Sequence, residues 1–344
     1  MIDQMIRLFR LAWPAFLSAS FLLGGCISCK TSMESQAMTF SNPVWPNNFP
    51  DPFVLEHEGV FFAYATHQSA EGFQMMTSTD LVTWKHEGGV GLPEWSKDHL
   101  WAPEVHPWKG EFYLFYSALD PVSKKRDLAV AKGPSPRGPF KLVSKLIIGA
   151  SVNKGGSEDG AIDPTLYVEN GKPYLLYILE AQPRTISLVE LAPDLSRTVG
   201  AETVLIRPDR EIEKGILDAP TLIKRGDTYW LLFSTGWFQS WKKDACYQVF
   251  AASSKNLLGP YIKQQEPVLT SKAGETLSPG HQCVFQLKSG EWWIGYHAWN
   301  SEGEPMYGHN KAGRSFRIDR LEWTEKGPKA LGPTITPQPK PRLK

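Results

Sequence analysis

Three aspartates stand at or beside a proline that opens an apolar run. They are Asp51 in Asp51-Pro52-Phe53-Val54-Leu55, Asp163 in Asp163-Pro164-Thr165-Leu166-Tyr167, and Asp218 in Asp218-Ala219-Pro220-Thr221-Leu222. A single carboxylate before proline is a turn former, because its oxygens cap backbone amides where a strand begins. Three of them at corresponding places in three similar segments point to chemistry instead. Carboxylates that converge in a confined, half-dry site shift one another's proton affinities, and that separates a general acid from a general base.

The elements that must position these acids recur along the chain. Each of the three segments is followed by a turn at glycine and then by an aromatic-rich strand, such as Val60-Phe61-Phe62-Ala63-Tyr64 after Gly59. Two further copies carry no aspartate at that place. One is Ala102-Pro103-Glu104-Val105 with Phe112-Tyr113-Leu114-Phe115-Tyr116, and the other is Pro279-Gly280-His281-Gln282-Cys283 with Trp292-Trp293-Ile294-Gly295-Tyr296. Intervening runs such as Leu128-Ala129-Val130-Ala131 and Gln248-Val249-Phe250-Ala251-Ala252 supply more strands, closed by Gly138-Pro139 and Gly259-Pro260. Five copies at blade-like spacing, with no comparable helical periodicity, predict an all-β, five-bladed β-propeller forming a single catalytic domain. Radial closure leaves few strand edges, and the innermost strands line a central channel. Symmetry then predicts that Asp51, Asp163 and Asp218 occupy equivalent positions around one axis.

Five ordered motifs now resemble glycoside hydrolase family 43, and the resemblance covers Asn42 to about Thr336. They are Pro50-Asp51-Pro52, Trp101-Ala102-Pro103-Glu104, Ile162-Asp163-Pro164, Asp218-Ala219-Pro220 and Pro279-Gly280-His281. The resemblance implies that Asp51 is the general base of an inverting hydrolysis. It implies that Asp163 holds and tunes the acid, and that Asp218 is the acid. The family has Glu where this chain has Asp218, one methylene longer. Glu104 stands where the family usually has Asp and is not read as catalytic. Arg314 matches an arginine that reaches the pocket, with an exposed structural arginine as the competing reading. His281 matches a histidine found near an axial ion, so a structural calcium on the propeller axis is carried as an expectation beside a hydrogen-bonded core histidine. No cofactor is required for the chemistry. Trp101 is read as a sugar-stacking residue at the rim, against a tryptophan packed between blades.

Composition narrows the partners. A formal net charge of +1, with Lys and Arg scattered along the chain, supplies no basic stripe for nucleic acid. Thirteen tryptophans suit a β core or a surface that stacks on sugar rings. Arg7 and Arg10 precede an apolar run, Leu11 to Leu23, too short to span a membrane, and Leu23-Gly24-Gly25-Cys26 resembles a lipobox. The chain is therefore divided into an export signal at 1–25, a polar tether at 26–40 and the propeller at 41–344. The expected protein is exported, lipid-anchored at Cys26 or else cut as a plain secretory signal, and monomeric. Cys246 and Cys283 are left without an assigned pairing.

The expected substrate is a carbohydrate of the plant-polysaccharide type. With no second domain read after Thr334, arabinose-containing chains are favoured over β-xylosides. A sugar-binding propeller weakened by the Glu-to-Asp departure is the alternative, and a protein scaffold would need no axial acids.

Overall fold

The computed structural model describes residues 38–69, 72–91, 93–146, 148, 158–239, 246–272, 275–300 and 312–344. The export signal, Cys26 and the tether as far as residue 37 lie outside the described residues. One unit, Phe40–Lys344, contains the fold.

Five antiparallel sheets build its blades, each with its first strand innermost, and a two-stranded sheet joins Thr39–Phe40 to Gln338–Pro339. The inner strands are Phe53–His57, Trp101–Trp108, Ala161–Glu169, Asp218–Arg225 and Leu277–Gln286. Each forms a hairpin with the aromatic-rich strand that follows it: Val60–Ser69, Glu111–Leu119, Lys172–Leu179, Thr228–Thr235 and Trp292–Trp299. The first four blades are contiguous in sequence. The fifth is closed by Trp45–Asn47 from the start of the domain, which pairs with Ala312–Thr324 through Trp45↔Phe316 and Asn47↔Ala312. That closure ties the first blade to the last.

The second strands are apolar on both faces because each blade is sandwiched between two others. In the second blade Phe112, Leu114 and Tyr116 pack toward the first blade, while Tyr113 and Phe115 pack toward the third. Five such clusters result, one for each blade-to-blade interface.

A shared irregularity aims side chains at the axis. Asp51, Ala102, Asp163, Ala219 and His281 all adopt left-handed backbone, with φ between 46° and 59°. In the second to fifth blades the inner strand's pairing slips at this residue. Where proline follows, it has no N–H for the ladder, so a bulge is the natural accommodation. Left-handed backbone costs a non-glycine residue roughly 1–2 kcal/mol, and strain of this kind clusters at functional sites.

Candidate active site

This bulge revises the expected symmetry of the acids. Asp51 and Asp163 hold the left-handed position of their blades, but in the fourth blade Ala219 holds it. Asp218 lies one residue earlier, opposite Ser234 just as Trp101 lies opposite Ser117. The three acids thus come from two neighbouring positions of the repeat. Trp101 and Asp218 share the position one residue before the left-handed one. Asp51, Asp163 and His281 share the left-handed position itself.

All six predicted site residues line one cavity of about 270 Å³ where the inner strands begin: Asp51, Asp163, Asp218, Trp101, Arg314 and His281. Asp51, Asp163 and Asp218 are each less than 10% exposed.

Asp51 is held as a carboxylate. Burial alone would raise its pKa, but Arg314 and His281 outweigh this and keep it well below the usual aspartate range, with help from Thr66. Arg314 Nη1 donates to Oδ1 at 2.9 Å, and His281 Nδ1 lies 3.2 Å from the same oxygen. Thr66 Oγ1 donates to Oδ2 at 2.5 Å and itself accepts the Ala102 N–H at 3.0 Å. The backbone N–H of Asp51 donates to His297 Nδ1 at 3.0 Å. Burial holds His297 well below its usual pKa, which suits a neutral ring whose Nδ1 accepts that hydrogen bond. Blade closure makes this arrangement, because Asn48 Oδ1 accepts the Arg314 N–H and the Phe49 N–H donates to the Arg314 carbonyl.

Asp163 behaves in the opposite way. Burial, reinforced by the charges of Asp218 and Asp51, raises it to about 7 despite His281. Its Oδ2 accepts the Ala219 N–H at 2.8 Å, so it grips the backbone beside Asp218. Asp218 itself is met on both oxygens. Arg184 Nη1 donates to Oδ1 and Tyr247 Oη donates to Oδ2, the latter at 3.1 Å.

Trp101 is half-buried, with its indole against the core between the third and fourth blades. His99 stacks on it at 4.5 Å between centroids, and the Arg126 guanidinium lies 5.1 Å from the ring. Glu104 is not part of the cavity wall; it pairs with His106 at 2.8 Å further along the inner strand. Imidazole is a poor ligand for calcium, a cation that prefers oxygen, so His281 alone would not hold the expected axial ion. Among the described residues no group of three His, Cys, Asp or Glu side chains could hold a metal ion. Cys246 and Cys283 are both free thiols, the second buried and pushed up to about 12 by that burial.

Sequence reasoning missed Thr66, Glu180, Arg184, Phe238 and Tyr247, which complete the wall together with Arg126, Ile162 and Gln239. Ser117 and Ser234 offered a signal for Thr66, since all three occupy the same place on second strands. Arg184 and Tyr247 follow no repeat.

The sequence matches glycosyl hydrolases family 43 over residues 40–328, which takes in every blade and all six site residues. The chain belongs to this family. Its members hydrolyse glycosidic bonds, and this family-43 chain is a glycoside hydrolase. An extracellular exo-α-(1→5)-L-arabinofuranosidase of Cellvibrio japonicus is 25% identical over 272 residues, 71% of this chain and 72% of that enzyme. A xylan 1,3-β-xylosidase of a Vibrio species is 25% identical over 325 residues, 84% of this chain but 57% of that enzyme. Among solved structures, a thermostable family-43 glycoside hydrolase superposes with a TM-score of 0.74 at 28% identity, covering 88% of this chain and 99% of that one.

Proposed function

We propose that this protein is an inverting glycosidase of arabinose-containing polysaccharide or oligosaccharide, with Asp51 as general base, Asp218 as general acid and Asp163 as the residue that holds the acid. The observation that carries the reading is the convergence of three buried carboxylates, Asp51, Asp163 and Asp218, on one cavity, with the first two treated in opposite ways. Asp51 is kept ionised beside Arg314, while Asp163 is pushed up to about 7. Environments that drive titratable groups apart mark acid–base machinery.

In the reaction, water bonds to the anomeric carbon as the bond to the leaving oxygen breaks on the opposite face. The proton from water passes to Asp51, and the proton on Asp218 passes to the leaving oxygen. Arg314 and His281 lie on Asp51 Oδ1 and Thr66 on Oδ2, and a carboxylate has about four hydrogen-bond sites, so a site on Oδ2 remains for the water. Asp163 acts through the Ala219 N–H, fixing the backbone from which Asp218 projects. Trp101 offers a stacking edge to a sugar ring, and Arg314 reaches substrate only from its place beside Asp51. No cofactor enters the chemistry, and the partner is carbohydrate.

Arabinose is favoured by the likeness to the Cellvibrio enzyme, and β-xylosides follow as the second reading from the likeness to the Vibrio one. Export is supported by the charged and apolar order of residues 7–23 and by that relative's extracellular name. Anchoring by lipid at Cys26, a tether to residue 40 and a propeller from residue 41 as a monomer complete the proposal. Nitrophenyl arabinofuranoside, nitrophenyl xyloside and debranched arabinan separate the substrates. Turnover of arabinose substrates with a first-formed product of inverted anomeric configuration by proton NMR is expected. Turnover of none of them would leave the sugar-binding alternative. Fractionation should find the protein in membranes, and a Cys26→Ala form equally membrane-bound would refute the lipid.

A further inference from the structure

An aspartate in place of a longer glutamate acid must be held nearer the leaving oxygen by something else, and one side chain is placed to do this. Arg184 reaches from the loop after the second strand of the third blade to Asp218 of the fourth, joining the two blades across the cavity. Its other nitrogen, Nη2, donates to Glu180 Oε1 at 3.1 Å. Glu180 is fully buried and fixed in turn, its Oε2 accepting from Arg126 Nε at 2.7 Å and from the Gly160 N–H at 3.0 Å. Arg126, Glu180, Arg184 and Asp218 thus form a row of alternating charges, each interior member held between two opposite ones. A planar guanidinium fixes geometry as well as charge, which a lysine does not.

We propose that Arg184 is a positioning residue that adapts this site to an aspartate acid, bracing Asp218 through Oδ1 so that Oδ2 carries the transferable proton. This rests on the reading of Asp218 as proton donor. With Arg184 on one oxygen, the carboxyl plane is fixed and the other oxygen faces the Tyr247 hydroxyl. That hydroxyl donates when Asp218 is ionised and can accept when Oδ2 is protonated. The brace is therefore compatible with both states of the acid. Asp163 is a further charged neighbour among the described residues, and it acts on the Ala219 backbone.

Reversal of sign between two backgrounds tests the proposal. Arg184→Gln should lower kcat on arabino-oligosaccharide by about a hundredfold, the scale on which a misplaced group costs rate. KM should change much less, and a dinitrophenyl glycoside, whose leaving group needs little protonation, should be nearly spared. Asp218→Glu alone should also lose activity, because about 1.5 Å of extra arm drives the carboxyl into Arg184 and Tyr247. In the Asp218→Glu background, Arg184→Gln should then raise activity rather than lower it. Equal losses in both backgrounds, or equal losses on the two substrates, would make Arg184 merely structural and overturn the proposal. If Arg184→Gln does not fold, Arg184→Lys must show the same selective loss on the poor leaving group, and an unselective loss refutes the idea. Failure of the underlying reading shows separately: Asp218→Ala would then lack any dependence on the leaving group.

Discussion

Arg314→Met removes the closest charge to Asp51 while keeping a long apolar side chain against Phe238, whose ring lies 5.0 Å from the guanidinium. The magnitude follows from the pair's burial. At 2.9 Å between Nη1 and Oδ1 the charge centres lie roughly 4 Å apart. With an effective dielectric near 20 that is worth about 4 kcal/mol, or about 3 pKa units before relaxation. Observed shifts from a neighbouring opposite charge run about 1–3 units. In the parent enzyme Asp51 stays ionised far into acid, so the acid limb of kcat/KM should not be set by it. In the variant, burial is no longer opposed by Arg314, so the Asp51 pKa should rise by about 1–3 units and Asp51 should become the group that sets the limb, moving it to higher pH. The same change alters acid stability. A depressed carboxylate stabilises the fold above its ordinary pKa of 3.8 and loses that contribution as pH falls through its folded value. The variant should therefore unfold at higher pH on acid titration. The assay is a pH profile of kcat/KM with a nitrophenyl glycoside, taken alongside circular dichroism. An acid limb that stays in place in a folded variant would refute the electrostatic account of Asp51.

Other consequences can be checked on purified protein. Asp163, raised to about 7 from an ordinary 3.8, binds a proton in the folded state that the unfolded chain has released, so it destabilises progressively as pH rises through that window. Asp163→Asn should gain up to about 4 kcal/mol relative to the parent at pH 8 and little at pH 3, while losing activity; a pH-independent difference in urea unfolding would contradict this. Thr66→Val leaves the buried Ala102 N–H without its acceptor and should cost about 1–3 kcal/mol, with Thr66→Ser restoring most of it. At Gly160 a Cβ would lie 1.9 Å from the Arg126 carbonyl oxygen, so Gly160→Ala should cost about 3 kcal/mol or more in thermal unfolding.

The propeller was legible because its repeats are local. Each proline, glycine turn and aromatic strand announces a blade within a short stretch, and double-sided burial makes the second strands continuously apolar. The two acids at the left-handed position were legible for the same reason. What the repeat hid was offset by one residue: Asp218 precedes Ala219, and only the backbone shows that Ala219 occupies the position that Asp51 and Asp163 hold elsewhere. The closing strand Trp45–Asn47 lies far in sequence from its partner, and no periodicity links them. Arg184, Glu180 and Tyr247 come from loops and strand ends where the repeat imposes no residue type. Arg314 was found, but its place beside Asp51 depends on that long-range closure.

The roles of the two outlying acids are tested most directly by the dependence on leaving group. Asp218→Ala and Asp51→Ala are each assayed on arabino-oligosaccharide and on a dinitrophenyl glycoside. A sugar alcohol leaves poorly and needs its proton as the bond breaks, whereas dinitrophenolate departs almost unaided. Asp218→Ala should therefore lose far more activity on the oligosaccharide. Asp51→Ala should lose both alike, since water must be activated whatever departs. Equal losses on the two substrates for Asp218→Ala would contradict the account, because the proton would then come from another group.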